Sequence, residues 1–238
     1  MLSSKAAPIV LLSCVPWAPL LISTLSARLD CEIIHISSPH QLNHNYIASL
    51  KPQFIFATHW RYLIPPEIFS NHRVVIFHMT DLPYGRGGSP LQNLILRGHE
   101  STVLSAIQCV KELDSGDIYL QKNLSLHGTA EEIYIRADKL IVDMIVELLC
   151  VPNSPYPQFG PALYFSRRKP ADSNLKLCTA GSSSQWYDFI RMLDAEGYPH
   201  AFLDVHGMRL EFRRVTLRND GLQADVTIRP SKSTSFTA

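Results

Sequence analysis

The sequence predicts an α/β fold, a mostly parallel sheet with helices on both faces, followed by a small α+β C-terminal appendage. Three observations predict it. Across the first 150 residues, apolar runs rich in β-branched residues alternate with helix-like stretches, the pattern that sets parallel strands side by side under crossover helices. Residues 151–170 then change character, with VPNSPYPQFGP carrying four prolines. Beyond them lie one helix-like stretch and three strand-like runs. For 238 residues, at roughly 150 per domain, this predicts a Rossmann-like unit over 1–150, a linker over 151–170 and an α+β subdomain over 171–230.

The elements follow in order. The segment AAPIVLLSCVPWAPLLISTLSA after Lys5 imitates the apolar core of a signal peptide. Its β-branched run instead suits a buried strand over 9–14, then a proline-broken turn and a helix over 19–29. Pro16 and Pro19 interrupt it, and no run approaches the roughly 18 apolar residues of a membrane span. CEIIHIS, FIFAT and VVIFH read as strands over 31–37, 54–58 and 74–78. The Gly/Pro-rich loop DLPYGRGGSP leads into a helix over 89–97. Strands over 102–110 and 118–123 flank a DSGD turn. Thr129, with Glu132 three residues on, forms a capping box for a helix running to about 149. In the appendage a helix spans 184–195 and strands span 201–205, 208–217 and 221–228, the last two joined by an Asp220-Gly221 hairpin turn. The polar tail SKSTSFTA is expected to fray.

Composition excludes several classes. Lys and Arg number 22 against 21 Asp and Glu, for a net charge of +1, so the chain is not globally basic. Hydrophobic residues make up 46%, enough to fill a core rather than leave the chain disordered. The five cysteines are scattered without a CxxC pair, which suits reduced thiols and a cytoplasmic protein and argues against a disulfide framework or a zinc site. No metal is expected. The appendage is locally basic, with Arg167-Arg168-Lys169, Arg209, Arg213, Arg214 and Arg218, a pattern read as solvated faces, with a nucleotide or RNA contact as the alternative.

Two stretches carry chemistry: VVIFH followed by MTDLPYGRGGSPLQ, and KELDSGDIYLQ. Open α/β sheets bind ligands at the carboxyl ends of their parallel strands, where His78 and the loop after it would lie. A histidine there can transfer protons near neutral pH, and a carboxylate at Asp114 would fix its tautomer and stabilise its charged form. Taken singly, His78 also reads as a satisfied core histidine and Asp114 as an ordinary turn residue. GRGG matches neither GxGxxG nor a Walker sequence.

Together, FHMTDLPYGRGGSPLQNLILRG and KELDSGDIYLQ resemble the folate-dependent formyltransferase family, which includes methionyl-tRNA, glycinamide-ribonucleotide and sugar N-formyltransferases. In that family a strand ends in Asn-x-His-x-Ser-x-Leu-Pro, and Arg-Gly and later Asp-Ala/Ser-Gly follow. His78, Thr80, Leu82, Pro83, Tyr84, Arg86, Gly87, Pro90, Asp114 and Gly116 fall on the pattern. ATHWRYLIP and GYPHAF resemble further family segments. The family Asn falls on Ile76, which cannot donate a hydrogen bond to an oxyanion. The resemblance therefore implies a replacement: protonated His78, a backbone N–H, Thr80 or Gln92.

The resemblance implies transfer of a formyl group from N10-formyltetrahydrofolate to an amine, with His78, Asp114 and Thr80 catalytic. Folate would lie against Phe56, His59, Arg61, Tyr62, Leu63, Lys111, Glu112, Leu113, Ser115, Gly116 and Asp117. The acceptor would meet Tyr84, Arg86, Gly87, Gly88, Ser89 and Gln92. The FHMTDLPYGRGGSPLQ form is similar to the branch tied to pseudaminic-type sugars, so the expected acceptor is a nucleotide-linked amino sugar, with no nucleic acid, no membrane partner and a homodimer allowed. The alternatives are a non-catalytic folate- or nucleotide-sugar-binding protein, and a methionyl-tRNA or glycinamide-ribonucleotide enzyme. The tRNA enzyme is disfavoured by the short appendage and the low charge.

Overall fold

A computed structural model describes residues 6–151, 154–178 and 181–231. The first strand, β1 (Ala6–Leu12), is followed by α1 (Ala18–Ser26), β2 (Cys31–Ile36), α2 (His44–Leu50), β3 (Phe54–Ala57), α3 (Pro66–Phe69) and β4 (Val74–His78). Next come β5 (Tyr84–Gly87), α4 (Pro90–Leu96), β6 (Ser101–Gln108), β7 (Ile118–Ser125) and α5 (Ala130–Cys150). The chain then forms β8 (Leu163–Phe165), α6 (Ser183–Arg191), β9 (Ala201–Val205), β10 (Met208–Arg218) and β11 (Gly221–Pro230). The expected fraying tail lies, beyond Ser231, outside the described residues. No helix among the described residues is long and apolar enough to cross a membrane.

The main sheet has the order β2-β1-β3-β4-β6-β7. Its first four strands are parallel, and β6 and β7 are antiparallel. β1 shows why: Ile9 and Leu11 enter one apolar layer and Val10 and Leu12 the other, all fully buried, as a strand covered on both faces requires. The first layer takes α1, α4 and α5; the second takes Leu42, Ile47 and Ile68 from α2, α3 and their approach. Along α5, Ile133, Ala137, Ile141, Met144, Ile145 and Leu148 make the buried stripe, three or four residues apart. Its Thr129–Glu132 capping box forms as read.

Several bounds shift. The first strand begins at Ala6 and ends before Ser13, α1 stops at Ser26 and α6 at Arg191. α2 and α3 enter only with the structure, because seven and four residues are too few to show a helical period. The stretch read as a linker carries β8, which pairs in parallel with β5 to form a two-stranded clamp beside the main sheet. The antiparallel sheet β11-β10-β9 turns through Asn219 and Asp220, with Arg218 facing Gly221. The backbone N–H of Glu131 donates to the Asp194 carbonyl at 3.0 Å, and Arg191 donates to the carbonyls of Leu126 and Gly128 at 2.6 and 2.8 Å, which ties the junction of β7 and α5 to the end of α6.

Candidate active site

A cavity of about 1000 Å³ follows the carboxyl ends of the parallel strands. Val15, Pro16 and Trp17 leave β1 into it, residues 57 and 59–66 leave β3, and Ile76 to Met79 close β4. β1 is the strand from which successive crossovers run in opposite directions, to β2 and then β3, and such switch points are where open sheets place ligands.

His78 is the last residue of β4 and almost buried. Its Nε2 lies 2.8 Å from the Gly85 carbonyl. A carbonyl only accepts, so Nε2 carries the hydrogen and, in the neutral ring, Nδ1 carries the lone pair. Nδ1 stands 3.7 Å from Asp114 Oδ2, with side-chain exposures of 7% and 9%. The same Oδ2 accepts the Gly87 backbone N–H at 2.8 Å. Asp114 sits in a left-handed conformation, φ 50, a strain that persists only where neighbours hold it. Gln158 is that neighbour: its Nε2 donates to the carbonyls of Asp114 and Gly116 at 2.9 Å each. Its Oε1 accepts from Arg86 at 3.1 and 2.7 Å. Gly116 is required here because a Cβ would sit 1.8 Å from the Gln108 carbonyl. At Gly87, φ 104, a Cβ would sit 2.4 Å from the Phe165 carbonyl.

The cavity has two arms on opposite faces of the sheet. On one, Ile76 packs in the layer that holds Trp60, Ile64, Phe69 and Cys109, with Tyr62, Leu63, Lys111 and Leu113 along the rim. Burial, then the Asp114 charge, pushes the Cys109 thiol up to about 12, so it stays protonated. On the other arm, His59 Nε2 meets Asp138 Oδ1 of α5 at 2.7 Å, and Trp17 Nε1 donates to Asp138 Oδ2 at 2.8 Å. Tyr134, its phenol pushed up to about 12 by burial, stands perpendicular to the His59 ring. Arg61, Arg167, Arg168 and Lys169 also line the cavity, and burial lowers the Arg168 guanidinium from its ordinary value.

Of the residues expected at the site, His78, Asp114, His59, Arg61, Tyr62, Leu63, Lys111, Leu113, Gly87, Gly88, Ser89 and Gln92 line the cavity. Others do not. Phe56 is fully buried, stacked on Phe54 and tilted against Phe77, because alternation along β3 turns Phe56 inward and presents Ala57. Thr80 is fully buried and its hydroxyl donates to the Gly85 carbonyl at 3.4 Å, so it faces away from the reacting region. Tyr84 meets His99 at 3.1 Å and packs on Phe165, and Arg86 braces Gln158. Glu112, Ser115, Gly116 and Asp117 shape the turn from behind: the Glu112 carbonyl accepts from Ser115 Oγ at 3.0 Å and the Asp117 carbonyl from Gln108 N at 2.8 Å. Gln92 spends its amide hydrogens on Tyr134 Oη and the Met192 carbonyl at 3.3 and 3.1 Å, which removes it as an oxyanion donor. Sequence reading missed Trp17, Tyr134, Asp138 and Gln158. The one signal was an acid, Asp138, beside the buried stripe of α5.

Comparison with known proteins identifies the family. Residues 36–149 match the family model described as formyl transferase, and residues 170–229 match that of the methionyl-tRNA formyltransferase C-terminal domain. A solved structure described as methionyl-tRNA formyltransferase from Clostridium thermocellum is 41% identical, with a TM-score of 0.90, covering 95% of this chain and 100% of that one. A methionyl-tRNA formyltransferase of Mesoplasma florum is 26% identical over 201 residues, 80% of this chain and 63% of the relative. One from Thermotoga maritima is 31% identical over 108 residues, 44% of this chain and 34% of the relative. The chain thus spans 63%, 51% and 60% of the length of three curated relatives. A 4-N formyltransferase from Francisella tularensis shares the fold at 15% identity, TM-score 0.69, covering 89% of this chain and 98% of that one.

These findings overturn the expected acceptor. The nucleotide-linked amino sugar and the exclusion of nucleic acid rested on a local motif form, a short appendage and the net charge. The appendage is matched by a methionyl-tRNA formyltransferase model, the curated relatives share that description, and the sugar enzymes resemble the chain at only 15–17% identity. Net charge also averages away the basic residues gathered at the cavity. With its two family models in order and a 41% identical relative matched end to end, the chain belongs to the formyltransferase family.

Proposed function

We propose that this chain transfers a formyl group from N10-formyltetrahydrofolate to the amino group of methionyl-tRNA. The observation that carries the chemistry is the buried His78–Asp114 pair with Nδ1 on the open side of the ring. The 41% identity to the Clostridium thermocellum structure supports the acceptor. The arm lined by Trp60, Tyr62, Leu63, Ile64 and Phe69, with the 109–114 backbone beside it, fits a folate. An apolar wall buries a flat heterocycle and a strand-end backbone hydrogen-bonds its edge. The folate supplies the activated formyl carbon.

The chain's own residues manage the proton. Attack by an amine on a formyl carbon gives a tetrahedral centre that must shed a proton from nitrogen. His78 Nδ1 accepts it, since Nε2–H is held by Gly85. The imidazolium then faces Asp114, and a carboxylate at that range stabilises the charged ring. As the tetrahedral centre collapses, the bond from the formyl carbon to N10 breaks and His78 returns the proton to N10, so that tetrahydrofolate leaves. Asp114 stays in place through Gly87 and Gln158.

The test is direct. The purified chain, given N10-formyltetrahydrofolate and methionyl-tRNA, should yield formylmethionyl-tRNA by mass spectrometry of the deacylated amino acid. His78→Asn should lower turnover by at least ~10²-fold with an unchanged melting temperature. Folate binding without product would sink the catalytic reading, and turnover of another amine in place of methionyl-tRNA would sink the acceptor.

A further inference from the structure

We infer that His59 binds the formyl acceptor rather than the folate, as a hydrogen-bond acceptor preset by Asp138 and Trp17. The inference rests on the formyltransferase reading above and adds a second substrate contact to the same cavity.

Position makes the first argument. β3 and β4 are paired in register, with Ala57 opposite Ile76, so His59 leaves its strand level with His78 on the next. The two then diverge. His78 follows Ile76 on the face of the proposed folate arm, whereas His59, in a left-handed conformation at φ 50, swings to the α5 face. There its ring contacts Trp17 and Tyr134. The ring of Trp60, its immediate neighbour in sequence, pairs with Tyr62 instead.

Preorganisation makes the second. An ionised carboxylate only accepts, so the 2.7 Å contact places the His59 hydrogen on Nε2. Trp17 occupies the other oxygen at 2.8 Å. Asp138 is thereby fixed, and in the neutral ring Nδ1 carries the lone pair. Side-chain exposures of 10% and 15% keep water from competing, and the perpendicular Tyr134 ring at 5.4 Å holds the imidazole plane. A carboxylate bonded to one ring nitrogen sets which nitrogen of the imidazole carries the hydrogen, and so which one is left for a ligand. A lone pair on Nδ1 selects an N–H or O–H donor. An amine-bearing acceptor offers such a donor, and a pterin in the opposite arm does not reach it.

The experiment compares wild type with His59→Gly, which tolerates the left-handed backbone, and with Asp138→Asn, which keeps the shape of the carboxylate. KM for methionyl-tRNA should rise on the order of tenfold in both, the scale of one directed hydrogen bond, while KM for N10-formyltetrahydrofolate and Kd for tetrahydrofolate stay within about threefold. His59→Asn, whose carbonyl oxygen can stand near the Nδ1 position, should recover part of the loss. A tenfold weaker folate Kd in His59→Gly overturns the inference, as does an unchanged KM for both substrates in either variant. If wild type does not use methionyl-tRNA, the proposed acceptor fails, and folate Kd alone then judges His59: unchanged supports its place outside the folate arm, tenfold weaker refutes it.

Discussion

At the scale of single residues, Ile76 is where this chain departs from the motif it otherwise follows. It lies two residues before His78 on β4, lines the cavity, and packs with Leu82, Ile107 and Ile118 as well as the layer above α3. Of the donors the sequence offered in its place, Thr80 is committed to Gly85 and Gln92 to Tyr134 and Met192. Protonated His78 and a backbone N–H remain as the candidate donors. Ile76→Asn should therefore leave turnover within about threefold, because a single oxyanion donor matters only where none exists. It should also lower the melting temperature, since an amide without partners costs about 1–3 kcal/mol in such a layer. Steady-state kinetics and thermal unfolding on the same preparation decide it. A hundredfold gain in turnover would mean that the site lacks a donor and that the natural chain is a binding protein.

At the scale of elements, the clamp of β5 and β8 does what neither strand could do alone. β5 carries Gly85, whose carbonyl sets the His78 tautomer, and Gly87, whose N–H holds Asp114. β8 fixes β5 from outside, and Gln158, just before β8, ties Arg86 to the Asp114 turn. Gln158→Ala should free that turn, lowering kcat roughly tenfold through a misplaced carboxylate while folate Kd holds, as measured by single-turnover kinetics and calorimetry. An unchanged kcat would show that Gly87 alone suffices. The sheet, its strand positions and the His78–Asp114 pair were legible because each has a local signature: β-branched runs, a capping box, a Gly/Pro loop. The rest was not, for reasons that differ by residue. Phe56 was misplaced although period-two alternation against Ala57 carries the information. Tyr84 and Arg86 turn away because they pair with a three-residue strand hidden in a proline-rich stretch. Asp138 meets His59 and Trp17 across 79 and 121 residues of sequence, a distance over which no spacing rule operates.

At the scale of the whole molecule, charge is distributed in a way that its sum conceals. Net charge is +1, and most appendage arginines are already matched: Arg209 to Asp204, Arg213 to Asp194, Arg214 to Asp225. The cations at the cavity differ. Arg61 and Arg167 touch through the Arg61 carbonyl at 3.0 Å, and Arg168 and Lys169 continue the line. Among the described residues none of these four side chains makes an ion pair, although Arg168 stacks on Phe189 and donates to the Asp172 carbonyl. Phosphate contacts fix a nucleic acid in register, and this row of cations lines the same cavity as His78. With two or three such contacts, KM for methionyl-tRNA should rise roughly 10- to 40-fold between about 50 and 200 mM salt. KM for the folate should change less over the same range, since the folate arm is apolar apart from Lys111 at its rim. Replacing Arg167 and Lys169 together by Gln should flatten the tRNA dependence by about two contacts without altering the response to folate. A salt response equal for the two substrates, or one unaffected by the double substitution, would place the tRNA elsewhere on the molecule.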